Sequence, residues 1–315
     1  MVTPSRHPFP LWKSLTALLP PGEEAGERIT IRCDGAERGV LLNRAEGVAG
    51  PAPLIILLHG AALSGSLTHR NLRLPALARR AGLALAFPDA EGLLWAEGSL
   101  DRAAPGLHAG HDDIAFLDAL IGQLVADGIA DAQAIHLAGI SNGGMMAMRY
   151  AAERGERLAS VMAFLATLPR EAETAREPDQ PVPFLMLAGT ADPVVGWDGE
   201  VRLAGRLIQR RRSVPETFAA WRRANRCTGL AASEILPRRG AADAPDVVLH
   251  AATGGTETRL YEVRGGGHRM PGGADLSPLR LLGRATPDVD ADALMLGFAQ
   301  RHRRDDAGVA KPRAG

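Results

Sequence analysis

Five short runs in this chain are apolar with almost no alternation: LIILL at 54–58, LALAF at 83–87, IHLAGI at 135–140, VMAFL at 161–165 and FLMLA at 184–188. A strand with one wet face alternates apolar and polar residues, so a run that is apolar throughout must be covered on both sides. Between the runs lie segments with apolar residues at three- and four-residue spacing, of which Ile114, Leu117, Ile121 and Leu124 form the clearest stripe. Strands buried on both faces and alternating with helices specify an α/β architecture, a mostly parallel central sheet with helices on both faces. The chain is 46% hydrophobic but only 4% aromatic, so its core is built from Leu, Val, Ile and Ala.

Local signals refine this outline. A helix is expected from Asn71 to Ala81, stopped by Gly82 in the left-handed conformation. Asp112 or Asp113 can cap the helix bearing the Ile114 stripe, and Asp290 precedes a last helix with Leu294 and Phe298 on one face. Two β-like stretches between Ile29 and Leu42 flank Asp34-Gly35, a hairpin signal, and TRLYEV at 258–263 reads as a further strand nearer the edge of the sheet. The expected organisation is an N-terminal extension over 1–28, one α/β domain over 29–303 and a frayed, charged tail over 304–315. The polar connection at 166–183 is too short for a helical cap domain, so no large cap over the sheet is expected.

Charge and cysteine content narrow the partners. Lys and Arg total 36 against 36 Asp and Glu, with Lys13 and Lys311 the only lysines, so no basic field draws nucleic acid or an anionic membrane; neither is an expected partner. No apolar run reaches the roughly 20 residues that span a bilayer. The N-terminal stretch carries Arg6, Lys13 and a short apolar group at 15–19, but Pro20 and Pro21 follow and no small-residue cleavage site is visible. Cys33 and Cys227, far apart, form neither a disulfide framework nor a CxxC metal site. A soluble protein is expected, cytoplasmic rather than secreted, with secretion the alternative if a leader has been removed. Oligomeric state is not legible.

Chemistry enters at Gly139-Ile140-Ser141-Asn142-Gly143, which fits G-x-S-x-G. Ten serines and 36 glycines in 315 residues give about 0.13 such matches by chance, so position carries the inference. The motif ends a buried strand and opens a helix, where a sharp turn lifts the serine Oγ above the sheet and the helix N-terminus faces developing negative charge. Ser141 is therefore the candidate nucleophile. The acid of such a site follows the serine in sequence, just past a strand; Asp192 in GTADP meets this, with Asp198 the runner-up. Among nine histidines, His268 in GGGH lies after a late strand and completes the order Ser, Asp, His. The two oxyanion donors are expected from the backbone N–H groups of Asn142 and Ala61, with Ala62 the neighbour that could replace Ala61. His59 reads as a brace for its loop. His108 and His111 beside Asp112 and Asp113 raise a metal reading, set against plain helix capping; no metal and no cofactor are expected.

With these residues placed, the chain resembles the polyhydroxybutyrate depolymerase-like α/β-hydrolase serine esterases, which include feruloyl and acetylxylan esterases. The resemblance runs from about 54 to 302 and rests on ordered blocks: LLHG, DDIAFLDALI, GISNGGMMAMRYA, PVPFLMLAGTADPVVGWDG, WRRANRC, GGGHRMPGG and DVDADALMLGFAQRH. It implies the α/β-hydrolase fold and a triad whose positions fall on Ser141, Asp192 and His268. Three departures stand out. The small residue after HG, often cysteine in the family, is Ala61; Cys227 is kept, but 250–256 lacks the cysteine for the disulfide often found there; and HTWPG becomes His268-Arg269-Met270-Pro271-Gly272, which removes an aromatic wall.

The expected activity is hydrolysis of soluble short or medium acyl, or hydroxyacyl, esters, with Met270 and Trp197 named from motif position as substrate-binding residues. Solid polyester is disfavoured because the chain ends at its catalytic domain. Feruloyl or acetylxylan esters and polyhydroxyalkanoate oligomers are the alternative substrates. Peptidase or thioesterase activity on the same site, and a binding protein that kept the fold without catalysis, are the other classes to separate.

Overall fold

The computed structural model describes residues 26–92, 94–99, 110, 112–170, 178, 180–240, 244–272, 281–304 and 310–312. The chain enters through a hairpin of β1 (Glu27–Cys33) and β2 (Ala36–Asn43), in register Cys33 to Ala36. Asp34 and Gly35 both take positive φ, 49° and 78°, the two left-handed residues of a tight turn whose twist matches the strands it joins. The expected hairpin is thus found where Asp-Gly pointed.

Next come β3 (Ala52–Leu58), α1 (Gly65–Arg70), α2 (Leu74–Arg80), β4 (Ala84–Pro88), α3 (Asp113–Ala126), β5 (Ala130–Ile140), α4 (Asn142–Arg154), β6 (Ser160–Phe164) and β7 (Phe184–Gly189). A small hairpin, β8 (Glu200–Leu203) and β9 (Arg206–Arg210), precedes α5 (Val214–Ala224). The short β10 (Gly229–Leu230) and β11 (Glu234–Ile235) lead to β12 (Val247–Thr253), β13 (Thr258–Val263) and α6 (Ala291–Arg301). Last is a ribbon of β14 (His302–Arg304) and β15 (Ala310–Pro312).

All five apolar runs are strands of one sheet, in the order β1-β2-β4-β3-β5-β6-β7-β13-β12-β10 with β11 also on β12. The six from β4 to β13 run parallel; β2 and β12 pair antiparallel on the flanks. The alternation inside β3 shows why the run is apolar throughout. Leu54, Ile56 and Leu58 face a core layer covered by α3, α4 and α5, while Ile55 and Leu57 face a second layer covered by α2 and α6. This doubly covered, mostly parallel sheet is the expected α/β-hydrolase architecture. The strand order reverses at β3, which has β4 on one side and β5 on the other, so a crevice opens beyond its C-terminal end.

Three local expectations are refined. The helix drawn from Asn71 begins at Leu74, because Pro75 fits only the first turn of a helix and Asn71 instead closes α1. TRLYEV lies nearer the edge than β3, β5, β6 and β7, as expected, but does not end the sheet: β13 pairs with β7 on one side and with β12 on the other. Asp112, not Asp113, caps α3, its carboxylate accepting from the N–H groups of Ile114 and Ala115. Asp290 caps α6 as expected. The expected extension lies outside the described residues up to position 25, and the chain is already in β1 at Glu27. Within the expected tail, β15 pairs with β14, while 305–309 and 313–315 lie outside the described residues, as do His108, His111 and most of 171–179.

Candidate active site

The site forms at the C-terminal ends of β3, β5, β7 and β13. Ser141 sits between β5 and α4 with φ 55° and ψ −121°, a strained conformation for a residue with a side chain. Its N–H donates to the Phe164 carbonyl at 2.8 Å and its carbonyl accepts from Met145, which pins the turn. The flanking glycines are required by contact. A Cβ on Gly139 would lie 2.1 Å from the Gly143 oxygen, and one on Gly143 would lie 2.4 Å from the Leu58 oxygen and 2.5 Å from the His59 oxygen. Ser141 occupies the N-cap position of α4, yet its side chain does not cap the helix. Oγ is turned to His268 instead, and the first N–H groups of α4 face the site with the positive end of its dipole.

His268 Nε2 lies 3.0 Å from Ser141 Oγ, and Nδ1 lies 2.7 Å from Asp192 Oδ2. An ionised carboxylate only accepts, so Nδ1–H donates to Asp192 and Nε2 is left to accept the serine proton. Asp192 is buried, and its other oxygen accepts from the N–H groups of Val194 and Val195 at 2.7 and 2.9 Å. Backbone contacts join the aspartate and histidine loops: Ala191 N–H donates to the Gly266 carbonyl, and Gly265 N–H donates to Thr190 Oγ1. His268 N–H and Gly267 N–H donate to the carbonyls of Leu282 and Arg284, so close that a Cβ on Gly267 would lie 2.1 Å from the Leu282 oxygen. Gly267, just before His268, therefore permits close packing against the Leu282 backbone. Asp198, the runner-up, is exposed and accepts from Glu200 N–H in the turn before β8.

The β3–α1 loop passes over the serine: a Cβ on Gly60 would lie 3.6 Å from Ser141 Cβ. The Leu63 N–H donates to the Gly60 carbonyl, making a turn with Ala61 and Ala62 at its centre, and Ala62 has φ 60°. His59, at the base of this loop, is fully buried. Its Nε2 accepts from Ala90 N–H at 3.0 Å, and its Nδ1 faces the Gly60 carbonyl at 2.8 Å. An amide N–H can only donate, so the ring proton sits on Nδ1, and burial holds the imidazole pKa below its usual value. His59 is a neutral brace, as its position suggested.

Trp197 and Met270 are both half-buried, but they pack on different layers, Trp197 against the α3–α5 side and Met270 against the α2–α6 side. The sheet separates those layers, so the two do not belong to one apolar cluster. Cys227 Sγ lies 3.5 Å from the Thr256 carbonyl and 3.6 Å from Thr258 Oγ1, in the segment where the resembled family often places its partner cysteine. Among the described residues no group of three or more His, Cys, Asp or Glu side chains could hold a metal, and no helix is long and apolar enough to cross a membrane.

Sequence reasoning missed the polar frame around the site. The Asn142 side chain, 1% exposed, accepts from Trp95 N–H at 2.7 Å and donates to the Trp95 carbonyl at 3.2 Å. Asp113 pairs with Arg38 at 2.5 Å and accepts from Ala96 N–H, and Arg211 pairs with Glu97 at 3.0 Å, all four fully or nearly fully buried. Buried single charges carry no periodicity, so only their partners reveal them.

A doubly covered sheet with a strained serine above β5 and a histidine beyond β13 defines the α/β-hydrolase class. A family model described as phospholipase/carboxylesterase matches residues 109–213. The chain is 32% identical over 243 residues to a protein of Nocardia uniformis subsp. tsuyamanensis named as the esterase NocK, covering 70% of this chain and 66% of that one. It is 31% identical over 119 residues to a protein of Aspergillus niger named as feruloyl esterase C, covering 36% and 43% respectively; both names give the activity by assignment. Among solved structures, the acetyl xylan esterase from Aspergillus awamori superposes with a TM-score of 0.57 over 87% of this chain and 100% of its own, at 13% identity, a likeness of fold. The chain has the α/β-hydrolase fold and is similar to proteins named as esterases. It spans 66% and 43% of the lengths of the two named relatives.

Proposed function

We propose that this protein hydrolyses carboxylic esters by two-step acyl transfer. The observation that carries the reading is the relay of 3.0 and 2.7 Å from Ser141 through His268 to Asp192, anchored on a strained elbow. His268, neutral, takes the Ser141 proton as Oγ attacks the ester carbonyl. The N–H groups of Asn142 and Ala61 hold the oxyanion, and His268 then protonates the leaving alcohol. Water, deprotonated by His268, attacks the acyl-enzyme and frees Ser141. Asp192 orients the ring and stabilises its charge when protonated.

The proposed substrates are soluble short or medium acyl or hydroxyacyl esters. Met270 supports this, because a flexible thioether beside the histidine shapes a less specific wall than an aromatic ring. Trp197 and Met270 are proposed to touch substrate from opposite sides of the sheet edge. The likeness to a protein named as a feruloyl esterase favours a second reading, an aromatic-acyl substrate. Turnover of p-nitrophenyl acetate and butyrate, methyl ferulate, soluble hydroxybutyrate oligomers, a thioester and an amide at equal enzyme concentration separates the readings. Preference for the short esters supports the proposal, and preference for methyl ferulate selects the second. Selective cleavage of the amide or thioester makes the site a peptidase or thioesterase. Failure of a fluorophosphonate probe to label Ser141 makes the chain a non-catalytic member of the fold.

A further inference from the structure

The fully buried Trp95 touches both halves of the oxyanion site without reaching solvent. Its backbone N–H donates to the Asn142 side chain, which in turn donates to the Trp95 carbonyl, a carbonyl that also accepts from Glu97 N–H at 2.9 Å; the backbone N–H of Asn142 is one oxyanion donor, and the Trp95 indole N–H donates to the His59 carbonyl at 3.0 Å. His59 lies two residues before Ala61, the other donor. The His59 carbonyl also sits where a Cβ on Gly143 would be, 2.5 Å away, so one oxygen lies between the indole and the first turn of α4. Orienting that carbonyl orients the peptide leading to Gly60 and Ala61.

Trp95 is itself held from outside the site. Arg38 lies over the Phe116 ring at 3.6 Å and near the Trp95 ring at 5.2 Å, and its two bonds to the Asp89 carbonyl fix the start of the loop. Asp113 binds the next residue, Ala96, through its N–H. A large aromatic could fill this space with no hydrogen bond to the catalytic loops. Each of the three polar groups of Trp95 bonds a residue that carries or precedes an oxyanion donor, the carbonyl being shared with the Glu97 N–H.

We infer that Trp95 is a positioning residue that ties the Ala61 loop to the Asn142 helix turn and so sets the spacing of the two oxyanion donors. The inference rests on the proposed roles of Ser141, Ala61 and Asn142. Because the tie acts on donors that matter most when the oxyanion forms, its loss lowers kcat and leaves KM near its original value.

The test replaces only the indole N–H. Trp95→Phe keeps an aromatic body, and replacement by benzothienylalanine, with sulfur in place of N–H, keeps the shape if the phenylalanine variant does not fold. Either variant is compared with the parent for melting temperature, kcat and KM on p-nitrophenyl butyrate, and Ki for a trifluoromethyl ketone, which forms an oxyanion-bearing adduct on serine. The expected result is a loss on the order of 10- to 100-fold in kcat, with KM unchanged and ketone affinity weakened in proportion. A folded variant with unchanged kcat and ketone affinity overturns the positioning role. A rise in KM alone, or a fall in melting temperature with unchanged kcat per folded molecule, overturns it equally, because either result makes Trp95 a structural residue only. Fluorophosphonate labelling of the parent at Ser141 is the control: its absence brings down the reading of the site, whatever the Trp95 variants do.

Discussion

At the scale of single residues, Ser141 and His59 make opposite demands on their surroundings. Ser141 must hold a strained backbone and a hydroxyl that is turned to His268 and does not cap its own helix, so Ser141→Ala removes only the attacking oxygen. We expect a loss on the order of 10⁴-fold or more in ester hydrolysis with an unchanged melting temperature, measured by turnover and calorimetry; retention of a tenth of the activity removes Ser141 as nucleophile. His59 is buried and neutral, accepting from Ala90 N–H. Its pKa is lowered by burial, so below about 6.5 the unfolded chain binds a proton that the folded chain refuses. The stability it contributes is complete above that pH and is lost as the pH falls from there toward its lower folded pKa. His59→Gln keeps an acceptor without the titration and should flatten this slope in urea midpoints measured between pH 8 and 5. An unchanged slope means other groups carry it.

Elements meet where glycine permits it, and the elbow is such a junction. Gly143→Ala drives a methyl into the carbonyls of Leu58 and His59, both backbone, so no rotamer change relieves the contact. We expect a destabilisation of more than about 2 kcal/mol in denaturant unfolding and loss of activity, since β3 and α4 must separate. A second junction joins the start of β13 to the end of α6. Glu257 pairs with Arg259 at 2.6 Å, His302 at 2.9 Å and Arg301 at 3.2 Å. Burial pushes its carboxyl up, but the contact with His302 and the charges of Arg259 and Arg301 prevail and hold it at about 2. A depressed carboxylate pKa stabilises above the unfolded value of about 4.3 and loses that contribution as the pH falls toward 2. Glu257→Gln should therefore be less stable than the parent at pH 7, with the difference shrinking through pH 4 and below, read from thermal unfolding. A difference that does not shrink with acid rules out the ionic origin.

Across the whole molecule, the sheet keeps the two cysteines apart. Cys33 ends β1 at one edge, and Cys227 lies beside β12 and β10 at the other. With neighbouring strands spaced about 4.8 Å, the gap is roughly 40 Å, far beyond a disulfide's Cα spacing of about 6 Å. Both thiols should titrate after denaturation without reductant, and the intact mass should equal that of the reduced chain; a lower mass breaks this prediction. Burial and the charge of Asp34 push the Cys33 thiol up, so in the native protein it should react slowly with a thiol reagent at neutral pH.

Much of the molecule is legible without coordinates, and the reason is locality. Runs buried on both faces, a two-residue turn at Asp34-Gly35 and the cap at Asp290 each depend on neighbours a few residues away. The order Ser141, Asp192, His268 was readable because each residue follows a strand that its own sequence announces. What the sequence could not decide lies between distant segments: the start of α2 beside α1, the place of β13 inside the sheet, and the side-chain frame of Arg38, Asp113, Asn142 and Trp95. Those contacts join residues 38, 95, 113 and 142, brought together only after the strands are ordered, and a buried charge or indole N–H has no periodic signature. The sequence by itself determined which elements form and which chemistry they can carry. The tertiary structure decided which polar groups meet behind the site, because burial forces each of them to find a partner wherever the packed chain supplies one.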